Sequence, residues 1–530
     1  MWRGVFNDSI MNKFAIIFFM LSTLSVSART TVSVARYLGD RQCAVSLTFD
    51  DGMQEHYTLV APHLDRYGLK GTFGINGKYI GDIDDRYSPR MTWSECRSLA
   101  AGGHEICSHT WSHPNLYYAD NELVIEEIEK NDSAIIKEIG VKPMSFLYPF
   151  NAYMPFVKEA CEKGRTGSRT YQFALGQRNS GCTLESAREW LRSVIDKREW
   201  GVAMTHGIYT GWDQWDEPWE LWQFFCELAM QQDSVWIDTF SRVQAYVKER
   251  DAVKLNISEV DGSVVVKPSI DLDSTVFKMP LTLRLSGFDN DRCLRAVQGG
   301  HALQVVRKGD CCMVDINPFG PEVTIGYADE DILRGKSVCF IGDSYVANHG
   351  CPVSETWHYR VAEENGMKYY NLGRNGNSAV FERDSIYGLP ILQRYSTIPA
   401  DADLIVIIAG HNDAYIVGEN LEKQAELRQG IDKLLKCLKR DYPKSKIGWV
   451  TPWNVEYNGF PAVLNIVNEV CRQNGVVVLD AALTSGINPN DSAFRARYFQ
   501  SSADNAHLNA AGHELILDRG RQFLVNLCYE

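Results

Sequence analysis

Residues 44–52 read AVSLTFDDG, an apolar and β-rich run that is followed directly by two adjacent carboxylates, Asp50 and Asp51. A run of this length and composition is typical of a buried strand. A helix-like stretch over residues 57–67 and a second strand-like run over residues 72–75 come next. Alternating strands and helices predict parallel strands covered by helices, and such folds carry their chemistry at the carboxyl ends of the strands.

The same alternation continues to about residue 250. Thr92-Trp93-Ser94-Glu95 is a capping-box pattern, which predicts the start of a helix that ends at Gly102-Gly103. Residues 121–139 carry apolar side chains at helical spacing and stop at Gly140. Residues 29–250 are therefore expected to form one α/β domain.

The pattern changes between residues 251 and 330. Turn signals such as Asp261-Gly262 and Gly299-Gly300 separate short strand-like runs, and no helical pattern occurs. The runs cover residues 253–257, 263–266, 281–285 and 302–306. This region predicts a small β-sandwich or a β-rich spacer.

Alternation returns over residues 331–530. Apolar runs of strand length cover residues 338–341, 404–409, 447–450 and 476–479, and helical stretches between them include residues 421–439 and 461–473. Gly475 stands where a C-terminal helix cap belongs. These features predict a doubly wound α/β sandwich.

Bulk composition narrows the class of partner. The chain has 530 residues, too many for one core, and a net charge of −13. This acidic balance argues against nucleic acid as a partner, because nucleic acid selects basic surfaces. Most of the 14 cysteines lie singly in apolar stretches, as do Cys43, Cys107 and Cys339, which predicts buried free thiols.

The N-terminus carries an export pattern. Lys13 precedes an apolar run over residues 14–24, and Val26-Ser27-Ala28 supplies small residues for cleavage. We expect residues 1–28 to be a signal peptide, with the mature protein in a periplasm or outside the cell. The run is short for a bilayer span, so no stable membrane insertion is expected after cleavage.

Further polar groups in the front region could join the two aspartates. His109 and His113 are spaced at i and i+4, and they would share one face if that turn were helical. His206 ends the strand-like run over residues 202–204. One aspartate could bind a metal while the other handles a proton, although each of these features alone is also compatible with a structural role.

In this order the motifs resemble those of the polysaccharide deacetylase (NodB-homology) family, over about residues 40–250. The resemblance implies a distorted (β/α) barrel. It also implies a role for each matching residue. Asp50 would be the general base, His206 the general acid, and Asp51, His109 and His113 the metal ligands. Tyr148 and Pro149 would line the substrate site and supply a backbone oxyanion donor. A mixed His/Asp set suits a divalent transition metal such as zinc better than calcium or magnesium.

One position departs from that family's pattern. Many relatives carry an arginine that tunes the base in the third motif, where this chain has Phe146-Leu147-Tyr148. Arg165 or Arg169 could replace it from elsewhere in the chain, or the base could be tuned differently.

Four blocks mark the rear region. Phe340-Ile341-Gly342-Asp343-Ser344 places a serine just past a buried strand, and three polar blocks follow at residues 371–376, 409–413 and 504–509. The first block alone is equally compatible with a serine that caps a helix. All four are expected at the carboxyl edge of the sheet, where ligands bind in open α/β folds.

These blocks resemble the SGNH (GDSL-type) hydrolase family over about residues 335–530, which implies a flavodoxin-like three-layer α/β/α sandwich. By resemblance, Ser344 is the nucleophile, His507 its base and Asp504 the residue that orients the base. The backbone N–H groups of Ser344 and Gly376 and the side chain of Asn412 form the oxyanion hole. Tyr345 replaces the usual leucine, and His411 and His513 are predicted to be structural.

The sequence thus predicts a bifunctional exported carbohydrate esterase, which removes acetyl or other acyl groups from a polysaccharide or oligosaccharide. Two alternatives stay open for the front domain: an N-deacetylase of amino-sugar polymers, or a weakly catalytic carbohydrate-binding module. The aromatic stretch over residues 212–222 could form a sugar-stacking surface, or a helix that packs its tryptophans inward.

Overall fold

The computed structural model describes residues 30–82 and 88–530. The predicted signal peptide, residues 1–28, lies outside the described residues. Within those ranges, no helix combines the length and the apolar character needed to cross a membrane. All 14 cysteines fall inside the described ranges, and none forms a disulfide.

The front region is built on a curled sheet of parallel strands in the order β6-β5-β4-β3-β2-β8-β7, with β9 also paired to β2. The predicted distorted barrel is confirmed. After β1 (Thr31–Val34), its strands are β2 (Cys43–Phe49), β3 (Gly71–Ile75), β4 (Glu105–Ser108), β5 (Ser145–Leu147), β6 (Gly167–Arg169), β7 (Phe173–Ala174), β8 (Trp200–Thr205) and β9 (Val235–Ile237).

Helices cover this sheet. They are α1 (Ala61–Arg66), which continues a π-helical turn over His56–Val60, then α2 (Trp93–Ala101), α3 (Asn121–Ile139), α4 (Pro155–Glu162), α5 (Leu184–Lys197), α6 (Pro218–Ala229) and α7 (Phe240–Ala252). The capping box predicted at Thr92 and Glu95 is present at the start of α2. Helix α3 buries Val124, Ile128 and Ile135, so its predicted apolar face packs inward.

The central region is an antiparallel β-sandwich, as predicted. One sheet has the order β1-β12-β16-β15 and the other β10-β11-β17-β13-β14. Its strands are β10 (Lys254–Val260), β11 (Ser263–Ser269), β12 (Leu281–Ser286), β13 (Leu294–Gln298), β14 (His301–Leu303), β15 (Val305–Lys308), β16 (Cys311–Ile316) and β17 (Val323–Tyr327).

Strand β1 crosses the predicted domain boundary. The sequence boundaries assign residues 31–34 to the front domain, but this strand pairs with Leu283–Ser286 of the sandwich. A four-residue strand with alternating burial carries no signal for a partner about 250 residues away. Residues 31–34 therefore belong to the sandwich, although they precede the front domain in the sequence.

The rear region is a parallel sheet in the order β19-β18-β20-β21-β22, the flavodoxin-like arrangement that was predicted. Separate apolar cores lie on its two faces. Its strands are β18 (Ser337–Gly342), β19 (Lys368–Gly373), β20 (Leu404–Ile408), β21 (Lys446–Val450) and β22 (Val477–Leu479). Its helices are α8 (Ser344–Ala347), α9 (Trp357–Glu364), α10 (Ile391–Arg394), α11 (His411–Val417), α12 (Leu421–Asp441), α13 (Gly459–Gln473), α14 (Ala481–Thr484), α15 (Ser492–Tyr498) and α16 (Ala510–Tyr529).

Candidate active sites

The two aspartates at the end of β2 point to different partners because the chain turns between them. Asp51 adopts φ 78° and Gly52 φ 64°, so the backbone reverses directly after the strand. Asp50 is 3% exposed and faces Arg169, whereas Asp51 faces the two histidines. One carboxylate is thus available for a proton and the other for a metal.

Asp51, His109 and His113 form a possible metal site. His109 Nε2 lies 3.5 Å and His113 Nε2 lies 3.4 Å from Asp51 Oδ1, and one ligand atom from each residue lies within 4.8 Å of the others. His109 Nδ1 lies 2.8 Å from the carbonyl oxygen of Leu147, which leaves Nε2 as the ligand atom. The converging imidazole and carboxylate donors fit a divalent transition metal.

The histidine pair does not lie on a helix. Residues 109–116 form a loop after β4, in which Thr110 and His113 adopt φ 69° and 59°. The rings nevertheless come within 4.9 Å, centroid to centroid. A loop with left-handed residues therefore achieves the convergence for which the spacing suggested a helical turn.

Electrostatics in this cluster favour an ionised Asp51. Burial opposes the charge, but the neighbouring His109 and His113 lower the pKa of the Asp51 carboxyl. Burial alone would lower the pKa of His109, but the neighbouring Asp51 and Asp50 raise it. Burial and the neighbouring His109 lower the pKa of His113 to about 4, so this imidazole is neutral and can bind a metal at neutral pH.

Arg169 supplies the guanidinium that the third motif lacks. Its Nη1 and Nη2 donate to Asp50 Oδ1 and Oδ2 at 2.8 and 2.5 Å, and Nη1 also donates to Thr48 Oγ1. Burial opposes ionisation of Asp50, but Arg169 lowers the pKa of its carboxyl to about 2. Arg165 pairs with Asp132 instead. Of the two arginines that the sequence left as alternatives, Arg169 is therefore the one that pairs with Asp50.

His206 directly follows β8, and its electrostatic interaction with Asp50 and Asp51 contributes to the lowered pKa values of these carboxyls. Its carbonyl oxygen lies 2.7 Å from Nε2 of the buried His56. The carboxylate of Glu55 accepts hydrogen bonds from the backbone N–H groups of residues 208–210. Glu55 thus fixes the loop that presents His206.

The side chain of Tyr148 in the third motif is buried among protein groups. Tyr148 is 1% exposed, its hydroxyl donates to Ser168 Oγ at 2.8 Å, and its ring stacks on Tyr153. Pro149 begins a tight turn in which Phe150 adopts φ 59°. Phe150 is 64% exposed and its ring lies 4.8 Å from that of His113. Sequence reasoning missed this aromatic rim, because nothing in the pattern marks the turn.

The aromatic stretch at residues 212–222 contains both inward-packed and exposed tryptophans. Trp215 is buried and donates from Nε1 to the carbonyl oxygen of Leu175. Trp222 stacks on His63. Trp212 and Trp219 are more than half exposed. Part of the stretch therefore packs inward, and part remains available for contact with a ligand.

The rear site is connected by hydrogen bonds. Ser344 begins α8, with one residue between it and β18, and its Oγ lies 2.9 Å from His507 Nε2. His507 Nδ1 lies 2.9 Å from Asp504 Oδ2. Asp504 also accepts from the N–H groups of Ala506 and His507, and although burial opposes its charge, His507 lowers the pKa of its carboxyl. The three predicted residues are brought into one line.

The two further predicted oxyanion donors follow β19 and β20, the two neighbours of β18 in the sheet. Gly376 adopts φ 70°, and a Cβ there would lie 2.2 Å from Tyr387 Cδ1, so no side chain is accommodated. Asn412 occupies the first turn of α11, and its Nδ2 donates to the carbonyl oxygen of Asn377 at 2.9 Å. Its Oδ1 accepts from Arg383.

Two histidines predicted to be structural are buried beside the line. His411 Nδ1 lies 2.9 Å from the Tyr345 hydroxyl, and His513 Nε2 lies 3.3 Å from Asn348 Oδ1. Burial lowers the pKa of His411 to about 4 and that of His513 to about 3. A third histidine, His349, stacks on the His507 ring at 4.0 Å and was missed, because no motif includes it.

Comparison with known proteins gives two matched segments. The polysaccharide deacetylase family model matches residues 39–164, which include both aspartates, the histidine pair and the third motif but not His206. The GDSL-like lipase/acylhydrolase family model matches residues 340–515, which contain all five predicted residues of the rear site.

Curated relatives resemble part of the chain. Chitin deacetylase 1 of Cryptococcus neoformans is 32% identical over 181 residues, 31% of this chain and 37% of its own length. A chitin deacetylase of Pestalotiopsis is 32% identical over 105 residues (20% and 33%). The peptidoglycan-N-acetylglucosamine deacetylase PgdA of Listeria monocytogenes is 29% identical over 116 residues (22% and 23%). The chain spans between 12% and 39% of the length of such relatives.

Proposed function

Because this chain joins a polysaccharide deacetylase domain to a GDSL-type lipase/acylhydrolase domain, we propose that it is an exported carbohydrate esterase with two active sites. The observation that carries the proposal is the coexistence of two complete sets of acyl-transfer groups. One is the Asp51, His109 and His113 cluster with Asp50 beside it, and the other is the hydrogen-bonded line that starts at Ser344.

In the front site, Asp51, His109 and His113 would hold a divalent transition metal, and zinc suits these ligands. Such an ion lowers the pKa of water and polarises an acyl oxygen. Asp50, kept ionised by Arg169, takes a proton from the water that attacks the acyl carbon. His206 gives a proton to the departing sugar oxygen or nitrogen. The products are a carboxylic acid and a free hydroxyl or amino group on the sugar.

In the rear site, Ser344 Oγ attacks the acyl carbon while His507 Nε2 takes its proton. The N–H groups of Ser344 and Gly376 and the amide of Asn412 stabilise the oxyanion. The sugar leaves with the proton held by His507. Water, activated by the same histidine, then releases the acid from the acyl-serine and restores the enzyme.

The proposed substrate is an acylated polysaccharide that carries groups in more than one position or linkage. A shared chain supports this coupling, because two deacylating sites would act on one polymer. Exposed aromatic rings at the front site, Phe150 and Trp212, are of the kind that stack on sugars. Export rests on the apolar run at residues 14–24, and N-terminal sequencing of the secreted protein tests it.

A second candidate concerns the front site alone. Relatives of this chain are named chitin deacetylase and peptidoglycan-N-acetylglucosamine deacetylase, and both names refer to polymers of amino sugars. The same groups would then hydrolyse an amide, with His206 protonating the amine. The rear site would remain an O-esterase.

Acetate release separates these candidates. The full chain is incubated with O-acetylated xylan and with an N-acetylated chitooligosaccharide, as wild type, Asp51→Ala and Ser344→Ala. Acetate from xylan that falls in each variant supports two O-deacetylases. Acetate from the amino sugar that is lost only in Asp51→Ala supports N-deacetylation at the front site.

Matched controls are available on the protein surface. Asp310→Ala and Ser258→Ala change an exposed aspartate and an exposed serine of the sandwich, and neither should alter acetate release. Metal analysis of wild type and Asp51→Ala accompanies the assay. Full turnover in Ser344→Ala with an aryl ester, or a wild type that binds no metal, would refute the corresponding half of the proposal.

A further inference from the structure

Arg383 contacts the second and third groups of the rear oxyanion hole from behind. Its Nη1 donates to the carbonyl oxygen of Gly376 and to Asn412 Oδ1, the latter at 3.0 Å. None of the four rear sequence blocks includes this arginine, which lies between the second and third blocks. One half-buried guanidinium is therefore shared by two catalytic donors that are 36 residues apart in the sequence.

The contacts determine which way the Asn412 amide faces. Arginine can only donate, so the atom facing Arg383 must be the amide oxygen. A backbone carbonyl can only accept, so the atom facing Asn377 O, at 2.9 Å, must be the amide nitrogen. The amide cannot turn over without losing both bonds. One N–H of the nitrogen is committed to Asn377. The second N–H is the one that the proposed oxyanion role would use.

The arginine is itself held in place. Its guanidinium lies over the Tyr387 ring, 4.3 Å from the ring centroid, and that ring packs directly against Gly376. On the other side, the buried Asp413 accepts from the N–H groups of Ala379 and Val380 and attracts Arg383 electrostatically. The Arg383 guanidinium therefore packs on an aromatic ring and has a carboxylate as a neighbour.

From this arrangement we propose that Arg383 is a positioning residue of the rear esterase, which orients and polarises the oxyanion-hole donor Asn412 and fixes the backbone at Gly376. A cation on the amide oxygen of Asn412 draws electron density from the nitrogen, so its second N–H becomes a stronger donor to developing negative charge. The inference rests on the proposed oxyanion role of Asn412. It predicts that Arg383 affects the transition state more than substrate binding.

The test is a double-mutant cycle with 4-nitrophenyl acetate, in the full chain carrying Asp51→Ala so that the front site is silent. Arg383→Met should lower kcat about 10- to 100-fold and change KM less than about 2-fold, as expected for a residue that orients a catalytic group. Arg383→Lys should recover part of the rate. In the Asn412→Ala background, Arg383→Met should cost at least about threefold less than in the parent.

Two controls make the result interpretable. Arg428→Met removes a half-exposed arginine that pairs with Glu469 on the outer helices, and kcat should not change. The melting temperature of each variant reports folding, and Arg383→Lys retains a charge if the methionine variant unfolds. An unchanged kcat in Arg383→Met, an equal loss in both backgrounds, or a change confined to KM overturns the inference. Retained turnover in Ser344→Ala would instead refute the proposed function itself.

Discussion

The front and rear sites each hold a carboxylate, but they pair it with different basic residues. Asp50 is held by Arg169 through two hydrogen bonds, and Asp504 is paired with His507. Arginine cannot release its proton, whereas histidine exchanges one readily near neutral pH. The front pair therefore keeps the proposed base ionised, and the rear pair supports the residue that, in the proposed mechanism, gains and loses a proton in each cycle.

The same contrast recurs at the first residue after each site's central strand. Asp50 directly follows β2, and Asp343 directly follows β18. Arg169 brings the pKa of Asp50 to about 2, against the effect of burial. Asp343 has no salt bridge within the described residues, and burial raises the pKa of its carboxyl to about 7. Equivalent positions in two parallel sheets thus hold carboxyls whose pKa values are shifted in opposite directions.

The largest effect that separates the sites should come from their histidines. His507→Ala should lower rear turnover roughly 10⁴- to 10⁶-fold, because the nucleophile loses its base. His206→Ala should lower front turnover by about 10²- to 10⁴-fold, because only proton donation to the leaving group is lost. Each site is assayed with its own substrate, and His301→Ala, an exposed histidine of the sandwich, is the control. A smaller loss in His507→Ala than in His206→Ala would contradict these assignments.

Next in size is the difference between the two buried arginines of the front domain. Arg169→Met should destabilise the domain by about 3 to 5 kcal/mol, because it leaves Asp50 buried without its partner. Arg165→Met breaks a similar pair with Asp132 and is the matched control for stability. Front activity of folded protein should fall at least tenfold in Arg169→Met only. Equal activity in the two variants would show that the Asp50 pair serves folding alone.

A pH dependence of stability sharpens the contrast at the strand ends. Below about pH 4 the Asp343 carboxyl is protonated in both the folded and the unfolded chain. As the pH rises to about 7, the unfolded chain ionises first, so this carboxyl makes the folded rear domain progressively less stable. Asp343→Asn replaces the carboxyl with an amide that does not ionise. This variant should therefore be more stable than wild type by roughly 1 to 4 kcal/mol at pH 8.

Urea unfolding of the rear domain between pH 4 and 8 measures this difference. The gap between Asp343→Asn and wild type should widen up to about pH 7 and then stay constant. Asp310→Asn, on an exposed turn of the sandwich, should follow wild type at every pH. A gap that does not vary with pH would show that Asp343 is ionised in the folded chain.

How much the sequence could predict depended on whether partners lie close along the chain. Helix α3 begins and ends where its apolar periodicity does, at Asn121 and Ile139. Asp504 and His507 are three residues apart, and hydrogen bonds within the motif hold the two side chains together. Local patterns of this kind determine elements and short motifs, because the interactions that stabilise them lie within a few residues.

Partners from distant strands were not predictable in the same way. Arg169 reaches Asp50 across 119 residues and several strands of the sheet, so the sequence could only offer it beside Arg165. Strand β1 pairs with β12 for reasons that its four residues do not encode. The left-handed turns at Thr110 and Phe150 were also hidden, since neither residue type favours that conformation. Tertiary packing, rather than local preference, decides all of these features.

The smallest expected effect concerns the rings that lie against one histidine in each site. His349 stacks on His507 with centroids 4.0 Å apart, and Phe150 lies 4.8 Å from His113. Ring contacts of this kind contribute about 0.5 to 1.5 kcal/mol, so His349→Ala should lower rear kcat/KM only about 2- to 10-fold. His349→Phe keeps a ring over His507 and should retain most of the rate. A hundredfold loss in both variants would mean that His349 transfers a proton. The rear site would then use two titrating histidines, whereas the front site would pair the Phe150 ring with His113, a proposed metal ligand.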